Sequence, residues 1–433
     1  MNAALKHWKE AATLVVAAGG RAGLTKTTTR GRMQEEPFGA ARGRHWPRSD
    51  DFDYEILVVK RSKASGFMPN ASVFPGGVVD GADFHHDWAR LLAPWRKRRL
   101  SGDGVGSAED YGVTCGAGPR PPMFATDRGS LGSAIPGELA FRICAIRETF
   151  EESGVLIARP AERPHRAHDD APSLATAVPD SPALRRWRAL VLSDARLFAA
   201  MCSELRVVPD VWALHEWSDW LTPVPLAPPA PGAPLPRRFD AVFFLCCLAE
   251  APAASHDDHE TVGAQWVRPP ELLSQHEAGA LWLAPPQQYE VARLCRVPAL
   301  LTLADFASRR AALGMHRWMP VRVPDPAGGG GLVGVLPGDE LYPAEPDEIG
   351  GSHGGGAVAR PAAAPASPST RPGAAPRLHR TTTARGRAGV LLTVAPEFGH
   401  LAPFVREDDA EEKEEEEEEK TKKKPESGIE SRL

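Results

Sequence analysis

Arg147-Glu148-Thr149-Phe150-Glu151-Glu152-Ser153-Gly154-Val155 sets three carboxylates on little more than one helical turn. Glu148 lies three residues from Glu151 and four from Glu152, so all three project toward one side of a helix. Like charges at that spacing repel by roughly 0.2–0.5 kcal/mol per pair in an isolated helix. A hard divalent cation, Mg2+ or Mn2+, shared with substrate phosphates would offset that repulsion. The plain alternative is an acidic helix face that meets water. Upstream, Phe74-Pro75-Gly76-Gly77-Val78-Val79-Asp80-Gly81 is a glycine-rich turn directly after an apolar, β-prone stretch. Glycines there let backbone N–H groups approach a phosphate closely. A phosphate cradle plus a carboxylate helix is the equipment for breaking a diphosphate.

Together the two segments resemble the halves of the Nudix box. Gly77 matches the opening glycine; Arg147, Glu148, Glu151, Glu152, Gly154 and Val155 match the closing half. Three departures stand out. Asp83 occupies the place of a glutamate, Thr149 sits at an apolar position, and about 56 extra residues separate the halves. The split box, with Gly66-Phe67-Met68-Pro69 ahead of the glycine turn, resembles one branch, the peroxisomal acyl-coenzyme A diphosphatases of the nucleoside diphosphate-linked moiety X motif 19 type. Ala140 to Glu148, Asp210 to His215, Trp220 to Pro223, Arg238 to Asp240, Phe243 to Leu248 and Leu336 to Tyr342 carry the same likeness.

The elements that must position these groups are partly legible. Residues 12–18 and 54–60 read as strands, and Ser72–Phe74 as a short one. Helical spacing of Leu139, Ile143, Ile146 and Phe150 predicts a helix over 137–153 whose buried face leaves the glutamates toward a cleft. Gly154 is placed as its C-cap. Residues 181–203 read as one helix, Phe239–Leu248 and Ala264–Val267 as strands, and Pro270–Glu277 and Gln287–Leu294 as helices. The Gly- and Pro-rich insertion, about 84–136, reads as a partly disordered surface excursion with one helix near 86–92. Trp212, Trp217 and Trp220 read as packing residues rather than a base-stacking platform. By resemblance the fold is α/β, a Nudix-type α/β/α sandwich with a mixed sheet, a long insertion inside the Nudix box and a disordered C-terminal tail. The expected organisation is a hydrolase domain over 1–345, a low-complexity linker over 346–376, a strand segment over 377–404 and an acidic tail over 405–433.

Composition narrows the class. The formal charge is −5 over 433 residues, but residues 406–433 alone carry −6, leaving a body near +1. That balance argues against nucleic acid as the main partner. Six scattered cysteines without a Cys-x-x-Cys pair point to free thiols, with Cys246 and Cys247 as small hydrophobes. No run approaches 18 apolar residues, so no membrane span is expected. Lys6 and Lys9 before an apolar stretch suggest a weak signal peptide, but a first strand fits better. Ser431-Arg432-Leu433 reads as a variant of the Ser-Lys-Leu address, predicting a peroxisomal import receptor as partner.

Metal held by Glu148 and Glu152, with Glu151 direct or through water, would neutralise charge and activate water. Arg147 would orient the carboxylates rather than bind substrate. The general base is left open between the helix glutamates, Glu260 and Glu271. By resemblance the substrate is coenzyme A or an acyl ester, cut to 3′,5′-ADP and (acyl-)4′-phosphopantetheine. Beside Gly76 and Gly77, the cations that would meet its phosphates are Lys60, Arg61, Lys63, Arg237 and Arg238. Two other readings remain: a Nudix hydrolase of ADP-ribose, a dinucleotide or capped RNA, and a silent binding module. His256-Asp257-Asp258-His259 is metal-capable in type but sits in a polar turn-rich loop.

Overall fold

The computed structural model describes residues 8–20, 42–96, 106–162, 174–225, 236–325, 332–347, 377–382, 389–392 and 394–406. Nine strands make one mixed sheet: β1 (Lys9–Gly19), β2 (Tyr54–Arg61), β3 (Ala71–Val73), β4 (Gly76–Val78), β5 (His215–Leu221), β6 (Phe239–Leu248), β7 (Thr261–Val267), β8 (Trp282–Leu283) and β9 (Arg317–Trp318). Their hydrogen-bonded order is β8-β3-β2-β1-β6-β5-β9, with β4 also on β1 and β7 also on β2. The helices are α1 (His86–Leu91), α2 (Gly137–Ser153), α3 (Pro182–Ser193), α4 (Leu197–Leu205), α5 (Pro269–Glu277), α6 (Pro285–Leu294) and α7 (Leu300–Ala311).

β1 and β6 run parallel at the centre, pairing Lys9 to Ala18 with Phe239 to Leu248. Both are apolar on both faces, as a strand covered by helices on each side must be. Leu14, Val16, Phe244 and Cys246 enter one core with α2, α3 and α4. Val15, Ala17, Phe243, Leu245 and Cys247 enter the other with α5, α6 and α7. Cys246 and Cys247 therefore point into opposite layers as buried hydrophobes, and all six cysteines are free. The architecture is the α/β/α sandwich that the resemblance implies.

α2 has the bounds its spacing predicts. Gly154 ends it in the left-handed region at φ 75°, its N–H returning to the Phe150 carbonyl. The helical stretch expected over 181–203 is two helices: α3 ends at Ser193 with Asp194 as its cap, and α4 begins at Leu197. The insertion is the larger correction. Its described parts, 84–96 and 106–136, wrap α2 rather than leaving the surface: Phe84, Trp88, Trp95, Tyr111, Met123 and Phe124 are buried in the α2-side core. Phe84 and Phe124 both meet Phe141 edge-on, at 6.1 and 5.6 Å between ring centroids. Cations close the wrap, with Arg128 paired to Glu10 and Arg120 to both Glu138 and Glu216. Short 3-10 turns bearing isolated aromatics carry no helical or strand period, which is why the packing is invisible in sequence.

The C-terminal segment returns to the body. β10 (Val321–Pro324), β11 (Leu332–Val335), β12 (His379–Thr382) and β13 (Gly389–Leu392) form an antiparallel sheet. Its anchor is α6. Tyr289 Oη lies 2.8 Å from His379 Nε2, and Arg293 Nε donates to the Leu401 carbonyl at 3.0 Å. Beneath them Glu290 is fully buried and saturated: Trp217 and Trp220 each donate an indole N–H, at 2.8 and 2.9 Å, and Arg293 donates to both oxygens at 3.1 Å. Trp217 and Trp220 are thus packing residues. Residues 348–376 and 407–433, with Ser431, Arg432 and Leu433, lie outside the described residues.

Candidate active site

The two halves of the interrupted motif meet. β4 pairs with β1 so that Gly76 faces Thr13 and Gly77 faces Ala12, and α2 packs against both strands. Glu152 Oε2 accepts the Gly76 N–H at 3.0 Å across 76 residues of chain. Gly77 sits so close to Glu148 that a Cβ there would collide with its carboxylate. At Gly76, a Cβ would drive into the Ala12 carbonyl and Thr13. At Gly76 the clash is with backbone and excludes a side chain; at Gly77 a side chain would displace the Glu148 carboxylate.

Arg147 organises the carboxylates. Its Nη1 donates to Glu148 Oε1 at 2.8 Å and to Glu151 Oε1 at 2.9 Å. Its other edge grips Asp83 with two bonds, both 2.9 Å. This fork-to-fork pair is almost wholly buried, at 3% and 1% side-chain exposure. Asp83 is held in turn by a reciprocal capping box: Asp80 N–H donates to Asp83 Oδ2, and the Asp80 carboxylate caps the same 3-10 turn. The shorter side chain therefore suffices where the family pattern has glutamate. Thr149 is also accommodated, its buried hydroxyl donating to the Ala145 carbonyl at 2.7 Å.

Burial dominates the electrostatics. It pushes the Glu148 carboxyl up to about 7, with Glu151 and Asp83 adding and Arg147 opposing. Glu151 is raised by burial against the pull of Arg147. Glu152 lies well above the usual range, through burial first and the Glu148 charge second, while the Gly76 N–H and Arg61 oppose. Glu260 adds to the rise at both Glu151 and Glu152, and its neighbour Thr261 donates from Oγ1 to the Glu152 carbonyl at 3.2 Å, so the loop that carries Glu260 runs against the end of α2.

The donor set fits a divalent cation. Glu152 Oε1 is buried and has no hydrogen-bond partner among the described residues, a costly condition for a carboxylate oxygen unless a cation completes it. As placed, the three carboxylates are drawn to different partners, Glu148 and Glu151 to Arg147 and Glu152 to Gly76. Among the described residues, three metal-capable atoms within 4.8 Å of one another occur only at His85, His86 and Asp87. That trio is a surface turn in which Arg90 already engages Asp87.

The remaining sequence candidates divide sharply. Glu260 ends the loop that leads into β7, beside the site; Glu271 lies on α5, whose Leu272 and Leu273 pack in the opposite core, and pairs with Gln275. Arg61 feels Glu152 but spends its guanidinium on Ser65 Oγ and the Phe67 carbonyl, stiffening the loop ahead of the glycine turn. Lys60 and Lys63 are exposed. Arg237 lies over Gly66 of that same loop. Arg238 is a correction: it is buried, donates to the Thr222 carbonyl at 2.9 Å and stacks over Trp8, so it braces β6 instead of facing a substrate. In the His256–His259 segment, Asp257 Oδ1 accepts the N–H groups of His259, Glu260 and Thr261, which shapes a turn. A cleft of about 340 Å3, lined by Glu55, Ala254, Ala264, Gln265 and Trp266, opens along β7 a few residues beyond Thr261.

A glycine turn locked to a carboxylate helix under a mixed sheet is a Nudix-type hydrolase site. The family model described as the NUDT19 Nudix domain matches residues 8–294. The acyl-coenzyme A diphosphatase NUDT19 of Gallus gallus is 44% identical over 352 residues, 81% of this chain and 84% of that one. The Xenopus laevis protein of the same name is 37% identical over 415 residues, 95% and 99% of the two chains. Its Homo sapiens counterpart is 38% identical over 336 residues, 78% and 80%. The chain belongs to the NUDT19 Nudix hydrolase family.

Proposed function

We propose that this protein hydrolyses the diphosphate bond of coenzyme A and acyl-coenzyme A, consuming one water to give 3′,5′-ADP and (acyl-)4′-phosphopantetheine. The observation that carries the reading is Glu152, one oxygen fixed to the glycine turn and the other buried without a hydrogen-bond partner among the described residues. Relatives named acyl-coenzyme A diphosphatase, matched over most of their length, support the substrate.

Glu148 and Glu152, with Glu151, would hold Mg2+ or Mn2+. When bound, the ion neutralises diphosphate charge and lowers the pKa of a coordinated water. The chain's own groups do the rest. Gly76 and Gly77 make room for the first strand and for the Glu148 carboxylate and let the turn hold Glu152, and Arg147, tied to Asp83, fixes the Glu148 and Glu151 carboxylates. Glu260, beside Glu151 and Glu152, accepts the proton of the attacking water. Arg61 and Arg237, which brace the loop ahead of the glycine turn, are the cations nearest to hand for the phosphates.

The test is product analysis by mass spectrometry on purified protein with Mg2+ or Mn2+. Free and acylated coenzyme A should yield 3′,5′-ADP, and chelation should abolish it. A panel of ADP-ribose, dinucleotide and capped RNA turned over faster would replace the substrate, and no turnover of any would leave a binding module. Location in the peroxisome rests on Ser431-Arg432-Leu433; deleting the tripeptide from a fluorescent fusion should release it to the cytosol.

A further inference from the structure

An α-helix leaves its last carbonyls without intrahelical partners, and at the end of α2 three of them are taken by one neighbouring apparatus. Arg188, on α3, donates from Nε to the Glu151 carbonyl at 2.9 Å. Thr261 Oγ1 donates to the Glu152 carbonyl at 3.2 Å, and the Ser255 N–H to the Ser153 carbonyl at 2.9 Å. Two of the donors, Ser255 and Thr261, bracket the segment that carries Glu260.

The same guanidinium also holds that segment. Nη1 donates to Ser255 Oγ and Nη2 to the Ser255 carbonyl, both at 2.9 Å. From Ser255 the chain enters the Asp257 turn, whose side-chain oxygen accepts the Glu260 N–H at 2.9 Å. The Glu260 carbonyl accepts the Ser62 N–H at 2.8 Å, closing the loop onto β2. A planar fork using all three nitrogens on two segments sets their separation more tightly than a single charge would. Gly154 fits beneath it, since a Cβ there would press on Arg188 Nη1 at 3.1 Å.

We propose that Arg188 is a positioning residue that sets the Glu260 loop against the carboxylate helix by bridging the Glu151 carbonyl and Ser255. The proposal rests on the reading of Glu260 as the acceptor of the water's proton. The hydrogen bonds of Arg188 go to the Glu151 and Ser255 carbonyls and to Ser255 Oγ, so it acts through the loop. No motif marks it, because its partners lie 37 and 67 residues away.

The test is a double-mutant cycle on the full chain, with an acyl-coenzyme A at saturating Mg2+. Arg188→Ala should lower kcat roughly tenfold to hundredfold, the scale of a misplaced catalytic group, with KM within twofold. Arg188→Lys should recover little, having no fork. Glu260→Gln should be slow, and Arg188→Ala should slow it no more than twofold further. Ser255→Ala, which deletes one acceptor, should show a milder loss of the same kind and serves if Arg188→Ala folds poorly. Slow Glu260→Gln combined with a fully multiplied loss in the double variant overturns the Arg188 proposal alone, as does an unchanged kcat in Arg188→Ala. Wild-type kcat in Glu260→Gln overturns the proton-acceptor reading and the proposal with it.

Discussion

Two buried carboxylates, one on each side of the sheet, have opposite surroundings. Glu290, in the α6 layer, has both oxygens filled by two indoles and a guanidinium. Glu152, in the α2 layer, has one oxygen on the Gly76 N–H and one on nothing among the described residues. Both are essentially inaccessible to water. Burial is therefore silent about role, and the state of each acceptor separates a structural carboxylate from a reactive one. The first belongs to a clamp that fastens the C-terminal segment; the second is the one we propose holds a cation.

The comparison breaks most readily by exchanging charges. Glu152→Gln should reduce kcat by roughly a thousandfold or more, the scale of losing a principal electrostatic group, while thermal unfolding shows a Tm unchanged or higher. Glu290→Ala should do the reverse, removing about 3–5 kcal/mol of stability by stranding Arg293, with kcat/KM per folded molecule retained. Calorimetry beside steady-state kinetics on both variants checks the pair; loss of stability in both would erase the distinction.

Acid sharpens it further. Burial holds His379 down to about 4, and His400 well below 6.5 with Arg293 and Arg310 contributing. Unfolded, such groups take a proton below about 6.5, so the unfolded state binds more protons than the folded one between about 6.5 and 4. Stability is complete above that window and should fall within it by about 1.4 kcal/mol per pH unit for each histidine. Hydrogen exchange across pH 7 to 5 should show the 377–406 segment loosening before α2. The smallest effect is expected at Thr149→Val. Only a local hydroxyl-to-carbonyl bond is lost and the methyl volume is kept, so a change under about 1 kcal/mol should appear in denaturant midpoints.

How much of this was legible follows from how local each signal is. α2 was readable to the residue, since a regular apolar spacing and a glycine stop lie within one window. β1, β2 and β6 were likewise readable as apolar runs. β5 was not assigned, because His215-Glu216-Trp217-Ser218-Asp219-Trp220-Leu221 alternates polar residues that only distant partners make buriable, Arg142 and Arg120 for Glu216. α7 is legible in the spacing of Leu300, Leu303, Ala304, Ala307 and Ala311. At the site, the two motif segments are legible because each is local, while the Asp83 grip on Arg147 and the bridge made by Arg188 depend on pairings 64 and 37 residues apart. The misplacement of Arg238 has the same origin: a cation's charge is visible in sequence, its direction is not.

The parallel pairing of the first strand with Phe239 to Leu248 has a consequence for biosynthesis. The strand that supports the glycine turn leaves the ribosome more than 220 residues before its parallel neighbour. Until then that strand has only antiparallel partners on one side, and an apolar ribbon stays open to chaperones and to other nascent chains. Slowing translation shortly before codon 240 should therefore prolong the vulnerable interval more than slowing it near the carboxyl end.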